Sequence, residues 1–355
     1  MILLRRDSLL RVKFLLAFLF VAVASAQTRV PVGTTASLRG LSVVSGKIIW
    51  ASGTEGAVIR TVDGGSHWTV IKVPGAEQLD FRGIHAFDAN TAVIISSGPA
   101  EKGQARIYRT LDGGKSWKQV YEQTKQGIFF DALAFWDRRN GIVLSDPVDG
   151  HFALFTTNDG GSSWKQTPAA SLPPALTNEG AFAASNSCLT VHGKKDVWFA
   201  TGGASVARVF HSGDGGKTWT VAETPMHPKN ASSGIFSLKF VNSREGIAVG
   251  GDYQHPDSSE LPNVMRTSDG GRSWSPAFPT DPAGVYFSSV DLSGRKVIAV
   301  GIKGLWIHSQ SWQIASTENL NKALSGHKVV WAVGPKGVVL KETIAKEDQS
   351  VHVPM

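Results

Sequence analysis

The chain has 355 residues, of which 42% are hydrophobic and 18% charged; this is an ordinary globular composition and excludes general disorder. Its net charge is +7, but the sequence has no Lys/Arg cluster of the kind that binds the phosphate backbone of a nucleic acid. We therefore expect no nucleic-acid partner. Cys188 is the single cysteine, which excludes an internal disulfide, and stability must come from packing.

The first segment has the pattern of a signal peptide. Four basic residues precede an apolar stretch over residues 14–24, and Ala24-Ser25-Ala26 supplies the small residues that signal peptidase requires. We therefore expect residues 1–26 to be cleaved and the protein to be periplasmic or secreted. The general secretory route is favoured, and Arg5-Arg6 leaves the twin-arginine route open. No later segment is long and apolar enough to span a membrane, so we expect a soluble monomer.

One short pattern, Ser/Thr-x-Asp-Gly-Gly-x-x-Trp, recurs along most of the remaining chain. Its aspartates lie 49, 47, 55 and 55 residues apart, a period that matches one four-stranded propeller blade. A sixth copy, Ser309–Trp312, has lost the Asp-Gly-Gly core. The five intact copies are Thr61–Trp68, Thr110–Trp117, Thr157–Trp164, Ser212–Trp219 and Thr267–Trp274.

Within each copy, the residue types suit a tight turn between two strands. Aspartate accepts hydrogen bonds from nearby backbone N–H groups, glycine tolerates positive φ, and tryptophan packs on the blade. Five equivalent catalytic acids would be implausible, so we interpret the repeated residues as structural. They are Asp63, Gly65, Trp68, Asp112, Gly114, Trp117, Asp159, Gly161, Trp164, Asp214, Gly216, Trp219, Asp269, Gly271 and Trp274.

Strand patterns of period two fill the intervals between these turns. Second strands begin near residues 50, 92, 141, 198, 246, 297 and 331, so the sequence predicts an all-β, seven-bladed β-propeller over residues 27–345 and a tail over residues 346–355. The seventh unit lacks both the repeated turn and a fourth strand. Because an uncovered strand edge promotes aggregation, we expect residues 28–32 to supply that strand and close the ring.

The five turns resemble those of Asp-box, or BNR, repeat propellers. That group includes sialidases, xyloglucan-degrading glycosidases, sortilin-type receptors and photosystem II stability and assembly factors. In whole-chain arrangement, and in the stretches Phe130–Asp137 and Gly180–Ala184, this chain is most similar to bacterial proteins of the assembly-factor-like type. The resemblance covers about residues 35–342. It implies the propeller fold and a protein that holds a partner during maturation, although such turns occur in enzymes and non-enzymes alike.

Candidate binding residues lie where the inner strands begin, since these positions surround one mouth of the central channel and the repeated turns lie on the opposite rim. Arg39 and Arg82 occupy equivalent positions in neighbouring blades, which suits them to hold one carboxylate together. Longer loops on this rim add further polar residues. The candidates are Arg39, Arg82, Asp131, Asp146, Glu179, Asn186, Asp252 and Tyr253. An ion pair between Arg82 and Asp131 is the alternative, purely structural interpretation of those two residues.

We therefore expect an exported, non-catalytic binding or scaffold protein that engages a protein or peptide partner through the arginine-bearing rim. A sialidase-like or other glycoside hydrolase is the alternative, because Asp131, Asp146, Glu179 and Asp252 offer carboxylates. A sialidase also needs three arginines to hold the substrate carboxylate, and a third is not assigned here. Of the tyrosines, only Tyr253 lies on a rim loop where it could act as the nucleophile. An oxidoreductase is less favoured because no dinucleotide motif is present. Ten histidines lack ligand spacing, so we expect no metal and no cofactor, and we assign no catalytic residue.

Overall fold

The computed structural model describes residues 28–168, 171–257, 262–278, 284–326 and 328–344. Within them the chain forms seven antiparallel, four-stranded sheets arranged as a seven-bladed β-propeller, and helix is almost absent, with one short 3₁₀ turn at Ala100–Lys102 between strands. The predicted all-β, seven-bladed fold is confirmed. The predicted signal peptide and the C-terminal tail both lie outside the described residues.

The first three blades follow one another in chain order, each running from the channel outward. Blade 1 consists of β2 (Leu38–Val43), β3 (Ile49–Gly53), β4 (Ala57–Thr61) and β5 (Thr69–Lys72). Blade 2 consists of β6 (Gly83–Ala86), β7 (Ala92–Ile95), β8 (Ala105–Thr110) and β9 (Lys118–Gln123). Blade 3 consists of β10 (Phe130–Phe135), β11 (Gly141–Val148), β12 (His151–Thr157) and β13 (Lys165–Gln166).

The next three blades repeat this order. Blade 4 consists of β14 (Leu189–His192), β15 (Asp196–Ala200), β16 (Arg208–Ser212) and β17 (Thr220–Glu223). Blade 5 consists of β18 (Ser233–Phe240), β19 (Gly246–Asp252), β20 (Val264–Thr267) and β21 (Ser275–Pro276). Blade 6 consists of β22 (Ser289–Ser293), β23 (Lys296–Gly301), β24 (Gly304–His308) and β25 (Trp312–Ser316). Blade 6 therefore keeps four strands although its repeated turn has lost the Asp-Gly-Gly core.

Blade 7 combines the two ends of the described chain. Its inner strands are β26 (Lys322–Gly326), β27 (Val329–Val333) and β28 (Val339–Thr343), and β1 (Thr28–Arg29) pairs antiparallel with β28 as the outermost strand. Backbone hydrogen bonds from Val30 N to Val339 O and from Gly337 N to Ala36 O, both 2.9 Å, continue this contact. The sheet edge of β28 is thereby covered by backbone partners.

Buried apolar side chains fill the gaps between blades. They form seven clusters, and each cluster joins side chains of two adjacent blades, including the pair formed by blades 7 and 1. Such burial contributes roughly 25 cal/mol per Å² of apolar surface removed from water. Each blade is therefore stabilised by both of its neighbours, which holds the ring around a common axis.

The Asp-Gly-Gly turns are built by local hydrogen bonds. In the second copy, Thr110 Oγ1 donates to Asp112 Oδ1 at 2.9 Å and accepts from Gly114 N at 2.9 Å. Ser116 donates to the same carboxylate from its backbone N–H and its hydroxyl, and these bonds lower the pKa of Asp112 to about 2. The Asp112 carboxylate therefore stabilises the turn through hydrogen bonds within it.

These turns lie on one rim, together with the turns between the first and second strands of each blade. In each of the five Asp-Gly-Gly turns, the backbone N–H of the first glycine donates to a carbonyl of the turn between the first and second strands of the same blade, at 2.8–3.0 Å. The five pairs are Gly64–Lys47, Gly113–Asn90, Gly160–Arg139, Gly215–Lys195 and Gly270–Arg244. Arg39 and Arg82 lie near the other ends of their inner strands, so the opposite rim is free for a site.

Candidate functional site

The channel opens on the arginine-bearing rim into a cavity of about 610 Å³, which we call the mouth cavity. Its walls come from the beginnings of inner strands and from loops between second and third strands. Five predicted rim residues line it, namely Arg39, Arg82, Asp131, Asp146 and Tyr253. Glu179, Asn186 and Asp252 are not among its lining residues. With Tyr286, which also lines it, the cavity combines two guanidiniums, two carboxyl groups and two phenols.

The two arginines share one carboxylate. Arg82 Nε donates to Asp80 Oδ2 at 2.7 Å, and Arg39 Nε lies 3.8 Å from the same oxygen. Arg82 also donates to the Ala183 carbonyl at 3.2 Å, with its guanidinium 5.9 Å from the Phe129 ring centroid. Sequence reasoning missed Asp80, although its position two residues before Arg82 was the available signal. One counter-ion for two guanidiniums leaves unused positive charge and donors facing the cavity.

Arg39 is the less satisfied of the two arginines. Its Nε is buried and has no hydrogen-bond partner among the described residues. Burial and the neighbouring Arg82 charge lower the pKa of Arg39 from its usual range. An incoming carboxylate beside this guanidinium would offset the Arg82 repulsion, because it would supply an opposite charge.

Asp131 and Asp146 form the acidic side of the mouth cavity. Asp131 is 1% exposed, and its Oδ2 has no hydrogen-bond partner in the described part of the chain. Burial, together with the nearby Asp146 charge, raises the pKa of Asp131 well above its usual range. Asp146 accepts from Ala181 N at 2.9 Å, and burial raises the pKa of Asp146 to about 6. Both carboxyl groups of the cavity therefore hold their protons to higher pH than an exposed aspartate does.

An aromatic wall lies beside these charges. The Phe182 and Phe236 rings stack with centroids 3.9 Å apart, and Tyr286 meets Phe236 edge-to-face at 4.8 Å. Tyr253 contacts the same ring at 6.0 Å and is 45% exposed at the cavity edge. Of this wall, sequence reasoning identified only Tyr253, because the other aromatic residues resemble core positions. The wall offers an apolar surface beside the arginines.

Glu179 lies away from the mouth cavity, in a buried ion pair. Arg208 donates to both of its oxygens, from Nε at 2.9 Å and from Nη2, and Thr201 Oγ1 donates at 2.6 Å. The Leu176 backbone N–H adds a fourth bond at 2.8 Å. The Glu179 side chain is 0% exposed. The structure gives this carboxylate a role in joining the loop before blade 4 to β16.

Asp252 organises its own loop. Ser232 Oγ and Asn230 Nδ2 donate to its carboxylate at 2.6 and 2.8 Å, and His255 Nδ1 lies 3.0 Å away. Partial burial opposes ionisation, but these hydrogen bonds lower the pKa of Asp252 below its usual range. The carboxylate therefore stabilises the turn that carries Tyr253 and is not presented to the mouth cavity.

Asn186 belongs to a segment that crosses the channel, residues 185–187, which we call the septum. The Asn186 amide pairs with the Leu133 backbone of blade 3, accepting at 2.6 Å and donating at 3.1 Å. Ser185 Oγ donates to Ser288 O at the start of blade 6 at 2.7 Å, and Leu238 N of blade 5 donates to Ser187 O at 3.0 Å. Asn186 has φ 57°, a left-handed conformation that asparagine tolerates better than most residues. The septum separates the mouth cavity from the rest of the channel.

The pKa of Asp146 leads to a pH-dependent prediction. Because its folded-state pKa lies above the unfolded value, Asp146 lowers stability as pH rises from about 4 to about 6, and Asp146→Asn should remove that loss. We expect the variant to exceed wild type by about 3 kcal/mol in unfolding free energy at pH 7, with a difference that vanishes near pH 4. Urea titrations at several pH values measure this. Exposed Asp149→Asn is the control, and a pH-independent difference would contradict the assignment.

Comparison with protein-family models gave no match, and comparison with curated protein sequences gave none either. Solved structures do match. YCF48 bound to D1 peptide has a TM-score of 0.62 and 16% identity, covering 90% of this chain and 97% of its own. YCF48 from Cyanidioschyzon merolae has a TM-score of 0.63 and 19% identity, covering 90% and 99%. Virginiamycin B lyase from Staphylococcus aureus has a TM-score of 0.64 and 12% identity, also covering 90% and 99%. At these identities the matches establish the propeller fold alone.

Two features are absent from the residues that the structure describes. Within these ranges, no helix has the length and apolar character needed to cross a membrane. In the same part of the chain, no group of three or more His, Cys, Asp or Glu side chains is arranged to hold a metal ion.

Proposed function

We propose that this chain is an exported binding propeller that captures a protein or peptide partner by a carboxylate at the mouth cavity. The observation that carries the proposal is the Arg39–Asp80–Arg82 group, in which two guanidiniums share one counter-ion beside an aromatic wall. Guanidinium pairs bind carboxylates with directional, charge-assisted hydrogen bonds. The fold similarity to YCF48 bound to D1 peptide supports a peptide as the class of ligand. Export rests on the leader pattern of residues 1–26.

The mouth cavity favours an extended segment with an acidic group next to an apolar side chain. The acidic group would contact Arg39 and Arg82, and the apolar side chain would lie on Phe182 and Phe236. As pH falls through about 6, Asp146 becomes neutral and the cavity becomes more positive. Capture of a carboxylate should therefore strengthen on mild acidification.

The test uses fluorescence anisotropy with short peptides that carry a free C-terminal carboxylate or an amidated end. Arg39→Ala combined with Arg82→Ala should weaken binding of the carboxylate peptides by at least about tenfold, since truncating one partner of a buried charge pair costs about 2–5 kcal/mol. The matched control is Arg139→Ala combined with Arg244→Ala, which removes two exposed arginines from the opposite rim. Full binding by a folded Arg39/Arg82 double variant would refute the proposal.

A glycoside hydrolase is the second candidate, and one observation favours it. Asp131 and Asp146 line the same cavity, and burial raises the pKa of both, which suits one of them to act as a general acid. Asp131→Asn should abolish any hydrolysis of sialosides or glycans by the purified protein. Stable partner capture without turnover favours the binding proposal instead.

A further inference from the structure

Behind the septum, the channel contains a second cavity of about 270 Å³, which we call the rear chamber. It extends to the ends of the inner strands, on the rim of the Asp-Gly-Gly turns. Its wall is divided between apolar side chains and polar ones, and the polar side chains include His85, Lys239, Asp291 and Lys322. The apolar lining residues are Leu41, Val43, Ile84, Leu133, Ala134, Phe135, Leu189, Val191, Leu238, Val290 and Leu324.

Lys322 stands at the septum end of this chamber. The residue is 4% exposed, and its Nζ donates to the Asn186 carbonyl of the septum at 3.5 Å, a long hydrogen bond to a neutral group. Buried lysines are rare in proteins unless they are paired with an opposite charge. This ammonium therefore lies where an anionic partner would stabilise it.

The other charged and titratable groups around Lys322 do not supply that partner directly. Asp291 Oδ1 lies 3.0 Å from Lys239 Nζ, and Asp291 Oδ2 accepts from the backbone and hydroxyl of Ser325 at 2.7 and 2.8 Å. Burial and the Lys322 charge lower the pKa of His85 to about 4, so this imidazole is neutral at pH 7. Cys188, on the blade 4 side, is buried, and its thiol pKa is raised well above the usual range by burial.

The charged groups of the chamber do not cancel when Lys322 is protonated. The Lys239 and Asp291 charges offset each other, so the protonated Lys322 amine adds an uncompensated positive charge. Positive charge at the closed end and apolar side chains along the wall match the two parts of an amphiphilic anion. Aliphatic walls disfavour a multiply charged anion such as phosphate, whose remaining charges would lose hydration.

We propose that the rear chamber binds a small monocarboxylate with an apolar tail, with its carboxylate against Lys322 Nζ and its tail along the aliphatic wall. This site is separate from the mouth cavity, because the septum lies between them. The proposal is thus independent of the partner-binding function inferred above.

Carboxylate binding at Lys322 should depend on pH, because it is linked to protonation of the amine. Burial, with a smaller effect of the Lys239 charge, lowers the pKa of Lys322 to about 7. A carboxylate beside Nζ would favour the charged amine and raise this pKa again. Binding above pH 7 should therefore take up a proton, and affinity should fall as pH rises.

The decisive measurement follows the ¹³Cε resonances of labelled lysines by NMR as pH varies, with hexanoate or hexanamide as the probe. Hexanoate should raise the titration midpoint of Lys322 by about one pH unit or more, because an opposite charge within about 4–6 Å favours the protonated amine. The neutral hexanamide should leave this midpoint unchanged. An unchanged Lys322 midpoint at saturating hexanoate would refute the proposal. This measurement uses the wild-type chain and does not depend on any variant folding.

Variants provide the second arm of the test. In the Arg39/Arg82 double variant, which lacks the two mouth guanidiniums, Lys322→Met should abolish hexanoate-induced thermal stabilisation, whereas Lys118→Met, which removes an exposed lysine on β9, should retain it. Retained stabilisation when folded Lys322→Met is combined with the double variant would also overturn the assignment. The Arg39/Arg82 double variant should bind hexanoate at the rear chamber like wild type, so failure of this site and failure of the mouth proposal are distinguishable.

Discussion

Arg208→Met should lower the free energy of unfolding by about 3–5 kcal/mol, the range observed when one partner of a buried ion pair is removed. The physical reason is that Glu179, whose side chain is 0% exposed, would lose its only cationic partner among the described residues. Its remaining donors, Thr201 Oγ1 and Leu176 N, do not neutralise a buried carboxylate. Urea denaturation midpoints, compared at constant slope, measure the loss.

A double variant separates the buried charge from lost packing. Adding Glu179→Gln to Arg208→Met should recover part of the stability, because the uncompensated charge disappears while the side-chain volume is kept. A cost below about 1 kcal/mol, as for an exposed pair, would contradict the assigned role.

Much of the fold could be predicted because its determinants are local and repeated. A turn of type Ser/Thr-x-Asp-Gly-Gly fixes its own hydrogen bonds within a few residues, as Thr110, Asp112 and Gly114 show. Its spacing then sets the size of a blade. The apolar strands between the turns have period two, so the number of blades can be counted directly from the sequence.

The candidate site could be predicted only in part, because its contacts join distant segments. Glu179 and Arg208 are 29 residues apart, and neither sequence neighbourhood indicates the other. Asn186 aligns with channel-mouth positions of other blades, yet its positive φ turns the segment into the septum. Phe182 and Phe236 look like core residues in sequence, and only the ring closure brings them together beside the arginines.

Trp198→Ala should lower the free energy of unfolding by about 3–5 kcal/mol, as is usual when a large buried aromatic side chain is truncated. Trp198 is fully buried in β15, where its ring stacks on Phe240 of blade 5 at 3.8 Å and on His211 at 4.7 Å. Its Nε1 donates to the Gly270 carbonyl, in the repeated turn of blade 5, at 2.8 Å. One side chain thus joins the core of blade 4 to the turn of the next blade.

Trp198→Phe is the matched variant for this prediction, because it keeps an aromatic ring against Phe240 while removing the donor to Gly270. It should cost less, about 1–3 kcal/mol, mainly from the buried carbonyl left without its partner. Equal costs for the two variants would show that the hydrogen bond, and not ring packing, carries the contribution. The Trp198 ring joins blades 4 and 5 by stacking on Phe240. A negligible loss of unfolding free energy in both variants would therefore contradict the inference that these two blades stabilise each other through Trp198.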